Sequence, residues 1–240
     1  MPRRRSLIAL ALRQIAFLCL LAALGLAGLV ASGHLVLPYR YDPFAPLDLR
    51  AEPDWLSAYR LSRLKRDAEL CRRALSQAEI AHRLLPERST PEDCRLDGAV
   101  ELSSGASSLN DRITAQCGIA AGWALFENRV LQPAARQHLG QEVRRTLHLG
   151  TYVCRRIGGP ESRFSQHATA NAIDVTGFVL ADGRRITLLR DWAGDGPEAR
   201  FLRALRDGAC GIFEGVLGPE FNAAHADHFH FDNGPYRVCR

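Results

Sequence analysis

The chain has 240 residues, 47% hydrophobic and 24% charged, which is the balance of one or two folded domains and not of a disordered polymer. Its formal net charge is +5, but without the four arginines of residues 1–37 only 27 basic residues face 26 acidic ones. A body so close to neutral lacks the basic surface that nucleic acid selects, so no nucleic acid partner is expected.

Arg3, Arg4, Arg5 and Arg13 open the chain, and Ile15 to Ala31 follow as 17 residues without a charge. Roughly 17–25 apolar residues suffice to cross a bilayer core. Arginines ahead of the span hold that end in the cytoplasm and send the remainder outward. Residues 1–37 therefore predict a signal anchor, with a cleaved signal peptide as the alternative, since Ala31, Ser32 and Gly33 are small. The expected location is the inner membrane, single-pass, with the rest of the chain in the periplasm. Residues 38–53, PYRYDPFAPLDLRAEP, read as a linker, and 54–240 as one domain.

Within that domain the apolar spacing predicts a helix over 54–85, a loop at 87–94 and a second helix from Ile119 to His138. A strand is expected over 143–155. A hairpin should follow around the turn Ala181-Asp182-Gly183, then a short helix from Pro197 to Asp207. GIFEGVL and HFHFD read as short β pieces. The fold class is α+β: a helical first half packed on a small, largely antiparallel sheet, preceded by one transmembrane helix.

Cys19 lies in the apolar span, which leaves Cys71, Cys94, Cys117, Cys154, Cys210 and Cys239. An even number in an exported domain predicts disulfides, and the absence of any CxxC spacing argues against a zinc-thiolate site. The sequential pairing 71–94, 117–154, 210–239 is the expectation among the 15 that six cysteines allow.

Chemistry concentrates in two stretches of the second half. HADHFH places His225, Asp227, His228 and His230 within six residues; SQHATANAID places His167 seven residues before Asp174. On a regular strand an odd separation puts two side chains on opposite faces, so His167 and Asp174 converge only if the chain turns between them. His228 and His230 are two apart and share a face if extended. Two imidazoles and a carboxylate make a three-ligand zinc set that leaves a position for water, and Asp227 lies three residues before His230, where a general base is wanted. The competing reading is a polar loop held by hydrogen bonds between Asp227 and its histidines. His34, His82, His138 and His148 join no cluster.

Ser165-x-His167-x-x-Ala170-x-Ala172-x-Asp174 and His228-x-His230 resemble the two motifs of the LAS-type zinc peptidases, the group of lysostaphin, the D-alanyl-D-alanine metallopeptidases and Sonic hedgehog. CRLDGAV at 94–100, ANAIDVTGF at 170–178 and LGPEFNAAHADHFHFD at 217–232 resemble more closely the bacterial extensin-like C-terminal domain family, over roughly residues 70–240. The resemblance implies Zn2+ on His167, Asp174 and His230, with Asp227 as base and His228 as oxyanion contact. It places Ser165 beside the first ligand and His225 near the site, and Arg155 or Arg156 where a substrate carboxylate would bind. The implied partners are peptidoglycan stem or cross-link peptides, cleaved by a D,D-carboxypeptidase or endopeptidase, or bound without cleavage. Ala170 departs from the peptidase pattern, which has glycine there.

Overall fold

A computed structural model describes residues 2–90, 94–158 and 161–240, so residues 91–93 of the expected loop lie outside the described residues. Helix α1 (Pro2–Ala31) contains a stretch, Ala9–Ala31, long and apolar enough to cross a membrane, and its leucines are exposed. The chain forms two compact units. The first ends at Ala45 and includes Asp54–Arg60; the second is Pro46–Pro53 with Leu61–Arg240. In the first, the buried guanidinium of Arg60 pairs with Asp54 at 2.9 Å and lies 4.2 Å over the ring of Tyr39. An arginine can be buried this way because every face of it meets a charge, a carbonyl or a ring.

The helix expected over 54–85 is two shorter ones, α2 (Ser57–Leu64) and α3 (Ala68–Gln77). The break has a local cause. The Asp67 carboxylate accepts from the amides of Glu69 and Leu70, which starts a new helix there. Beyond α3 the chain is extended: β1 (His82–Leu84), β2 (Arg88–Ser89), β3 (Arg95–Leu96), β4 (Ala99–Ser104) and β5 (Ser108–Gln116). The first half is thus less helical than its sequence predicts. Val100, Leu102, Ile113 and Ala115 are buried from the antiparallel pair β4–β5, and that burial outweighs its many polar residues.

Helix α4 (Cys117–Phe126) is buried along its whole length, as befits a helix apolar all round. It continues through a π-helical turn, Glu127–Leu131, into α5 (Gln132–Leu139), which ends on Gly140 at φ +63°. These three pieces occupy the second expected helix. Strand β6 (Val143–Gly150) stops short of residue 155, because Gly150 at φ +120° turns the chain out of the sheet. Then come β7 (Ala172–Leu180), β8 (Arg185–Thr187), α6 (Leu188–Asp191), α7 (Pro197–Ala209), β9 (Gly215–Leu217), β10 (Phe229–Asp232) and β11 (Val238–Cys239). The hairpin and the helix at Pro197 stand where the sequence predicts them.

Among the described residues the main sheet has nine strands in the order β1-β4-β5-β6-β7-β10-β9-β11, with β8 on β7. It is therefore not small. It is largely antiparallel, β5–β6 and β9–β11 being parallel. The neighbouring interior strands β7 and β10 pair with His230 directly opposite Asp174. Phe229 and Phe231 leave the other face of β10 and are wholly buried, Phe231 stacking 5.0 Å from Phe213. Alternation along a four-residue strand thus anchors one face in the core and turns the other towards His167 and Asp174.

Three disulfides join Cys71–Cys117, Cys94–Cys154 and Cys210–Cys239, which agrees with an exported domain. Only the last is a sequential pair. The other two differ because α3 packs beside the start of α4, bringing Cys71 to Cys117 with Cα atoms 5.9 Å apart. Cys94 instead meets Cys154, in the segment that leads from β6 to His167.

Candidate metal centre

His167 sits in a one-turn 3-10 helix, Gln166–Thr169, and is buried. The Ser165 hydroxyl caps that turn by accepting from the His167 amide at 3.3 Å. Ser165 therefore acts here by fixing the backbone of its neighbour. The turn closes on Ala170, which adopts the left-handed conformation at φ +55°, and the chain then enters β7. This is the bend that the seven-residue separation requires, and it brings His167 and Asp174 to the same place.

One atom each from His167, Asp174 and His230 lie within 4.8 Å of one another, a group able to hold a metal ion. Asp174 Oδ2 is 3.2 Å from His167 Nε2, and Asp174 Oδ1 is 2.9 Å from His230 Nδ1. The two ring nitrogens are 3.1 Å apart.

What fits this group is decided by the far side of each ring. His167 Nδ1 faces the Thr151 carbonyl at 3.1 Å, and a carbonyl only accepts, so the hydrogen belongs on Nδ1. His230 Nε2 faces Asp232 Oδ2 at 3.0 Å, and a carboxylate likewise wants a hydrogen there. In these tautomers both neutral rings aim a lone pair at the point that Asp174 also faces. Three acceptors converging on one point fit a cation, and outer hydrogen bonds of this kind orient metal-binding imidazoles.

Without a cation, protons supply the positive charge. Burial, the largest single influence, raises the Asp174 pKa, but hydrogen bonds from His167 and His230 outweigh it and hold the carboxyl far below its usual range. Burial lowers His230, and bonds to Asp174 and Asp232 outweigh it, so that its pKa is pushed up to about 9. Neither Thr151 nor Asp232 was reached by sequence reasoning. Thr151 acts through a backbone carbonyl, which carries no residue signature. Asp232 had one: in His228-x-His230-x-Asp232 the alternation extends one step past the histidines.

The other expected residues gather at one side. His228 Nδ1 bonds Asp227 Oδ1 at 2.8 Å, and its Nε2 lies 3.8 Å from Asp174 Oδ1. Asp227 thus reaches the group through His228. The His225 ring packs 5.2 Å from His228 and 5.9 Å from His230, with Nδ1 on Asn222. Burial first, and then the neighbouring His228, depress its pKa. Arg155 is near enough for its charge to oppose protonation of His225, whereas the Arg156 guanidinium is stacked on Phe164 and bonded to the Ser162 carbonyl. Of the two arginines, Arg155 is the one whose charge acts on His225.

The family model described as Extensin-like protein C-terminus matches residues 69–240. The chain belongs to that family. No curated protein and no solved structure matches it. Every residue of the converging group, with Asp227, His228 and Asp232, lies inside the extensin-like segment, as do all six paired cysteines.

Proposed function

We propose that the extensin-like domain is an exported zinc-dependent peptidase that acts on peptidoglycan stem or cross-link peptides. The observation that carries this reading is the convergence of His167 Nε2, Asp174 and His230 Nδ1, with the Asp227–His228 pair beside it. Two nitrogens and one oxygen suit zinc, and three protein ligands are typical of a catalytic rather than a structural site. Zinc bound there supplies a polarised carbonyl and a water acidic enough to ionise near neutral pH.

The chain's own groups provide the proton traffic. The Asp227 carboxylate holds a hydrogen on His228 Nδ1, so the neutral ring presents the Nε2 lone pair towards the ligand group. The attacking water's proton passes to His228 Nε2, which, as N–H, hydrogen-bonds the developing oxyanion and then gives the proton to the leaving amine nitrogen as the C–N bond breaks. The base role expected of Asp227 is exercised through His228. Arg155, whose charge reaches His225, would meet a carboxylate or other acceptor of the peptide. The apolar N-terminal helix and the disulfides support a setting outside the cytoplasm, where the wall peptides are.

A second reading, a wall-peptide-binding domain without hydrolysis, draws on one observation. Asp227 is 55% exposed and turned to His228 rather than to the ligand group. Metal analysis of the purified protein together with a muropeptide digest separates the two. Stoichiometric zinc and cleaved product, both lost in His230→Ala, are expected. Zinc without product leaves the binding reading, and a protein that neither holds nor takes up metal removes the peptidase.

A further inference from the structure

His230 lies between two carboxylates, and only one of them belongs to the converging group. Asp232 leaves β10 on the same face two residues later, and its Oδ2 stands 3.0 Å from His230 Nε2. Its other oxygen accepts from the Gly234 amide at 2.6 Å, so the carboxylate is gripped at both ends. The neighbouring strand leaves room for it. Gly215 on β9 pairs with Asp232 across the ladder, and any side chain at Gly215 would collide with the carboxylate. Lys65 bonds Glu214 at 3.1 Å; burial lowers its pKa, and the charges of Glu214 and, more weakly, Asp232 oppose that shift.

We propose that Asp232 is the positioning residue of the metal centre: it holds the hydrogen of His230 on Nε2 and thereby turns the Nδ1 lone pair towards His167 and Asp174. The inference rests on the zinc reading above. The physical ground is that a neutral imidazole carries one N–H, and whichever nitrogen has the better acceptor keeps it. Asp174 competes for that hydrogen from the Nδ1 side, at 2.9 Å, and Asp232 is what wins it back when a cation is to bind.

The test is zinc affinity, measured by competition with a chromophoric chelator. In Asp232→Asn the amide keeps the size of the side chain and an oxygen for Gly234, but presents N–H to His230 Nε2 and drives the ring hydrogen onto Nδ1. Affinity is expected to fall roughly 10- to 100-fold, the usual effect of losing such an outer partner, while circular dichroism of the chelated protein stays that of wild type. In Asp232→Ala, sodium formate should recover part of the affinity and sodium chloride at equal ionic strength should not. A merely structural role predicts no such rescue. Wild-type affinity in folded Asp232→Asn, or no recovery by formate in Asp232→Ala, overturns the inference and leaves the zinc reading standing. A wild-type protein that takes up no zinc overturns both.

Discussion

Asp174 on β7 and Glu127 at the π-helical turn after α4 are both carboxylates largely withdrawn from water, and their surroundings push them in opposite directions. Asp174 faces two imidazoles, and hydrogen bonds from His167 and His230 bring its pKa down despite its burial. Glu127 faces only dipoles: the amides of Ala106 and Ser107 at 2.9 and 3.1 Å, and the Ser107 hydroxyl at 2.5 Å. There burial dominates, and the pKa rises. The lesson is about partners rather than depth. A buried carboxylate among donors that cannot change state is a clamp, and Gly105 is glycine because a side chain there would collide with Glu127. A buried carboxylate among groups that can themselves bind a cation is a site.

The sharpest way to break this contrast is to remove each carboxylate and read both stability and metal binding. Asp174→Ala should lose at least about 100-fold in zinc affinity, since even outer partners are worth 10- to 100-fold. At zinc one hundred times its Kd, wild type should gain about 2.7 kcal/mol over the chelated protein. Asp174→Ala should gain no more than about 0.4 kcal/mol, a difference that thermal melts with and without chelator would record. Glu127→Ala should show the reverse pattern. It takes the acceptor from the buried amide and hydroxyl of Ser107 and should cost about 3 kcal/mol, at 1–3 kcal/mol for each unsatisfied buried group. Its zinc affinity should stay within about twofold of wild type, because it alters no metal partner or outer partner. A Glu127→Ala variant that melted like wild type but bound zinc poorly would invert the assignment.

A finer probe uses pH at Glu127. Its folded pKa is raised, so its stabilising contribution is complete below the unfolded value and is lost as pH rises through the folded one. Glu127→Gln keeps the shape of the neutral acid and does not titrate. The stability gap between wild type and Glu127→Gln should therefore shift in favour of the variant as pH climbs from 4 towards 8. Denaturant melts across that range would show it. A gap moving the other way would mean that the three donors, and not burial, set the state of this carboxylate.

Much of the site was legible because its residues fall in two short stretches. His228 and His230 are two apart, and His167 could converge with Asp174 given one turn. What the sequence hid was the partner of each ring. The Thr151 carbonyl has no side-chain signature, and Asp227 could not be known to face His228 until the loop before β10 had a shape. The fold followed the same rule. The helix at Pro197 and the hairpin at Gly183 were carried by local turn and cap chemistry. Strands β4 and β5 were not, because ELSS and LNDR read as polar until Val100, Leu102, Ile113 and Ala115 meet the core. Pairing of Cys71 with Cys117 likewise depends on how α3 packs beside α4, a contact no spacing encodes.

The smallest expected effect lies at Ala170, where the LAS-type peptidase motif that the sequence resembles has glycine. The residue sits in the left-handed region at φ +55°, a conformation that costs a residue with a Cβ about 1–2 kcal/mol. Against that, its methyl is wholly buried beside Leu96 and Ala99, worth roughly 0.8 kcal/mol, and glycine would add about 0.4–1 kcal/mol of unfolded-state freedom. The terms nearly cancel, so Ala170→Gly should change stability by less than about 0.5 kcal/mol. The turn itself is held by backbone bonds from Ala170 N to the His167 carbonyl at 3.1 Å and from Gln116 N to the Ala170 carbonyl at 2.8 Å, and glycine keeps both. Zinc affinity should therefore move by less than twofold, the 1–2 kcal/mol at stake in the turn staying inside the backbone. A tenfold change in affinity in Ala170→Gly would show that the turn, and not only the atoms facing the cation, tunes the site.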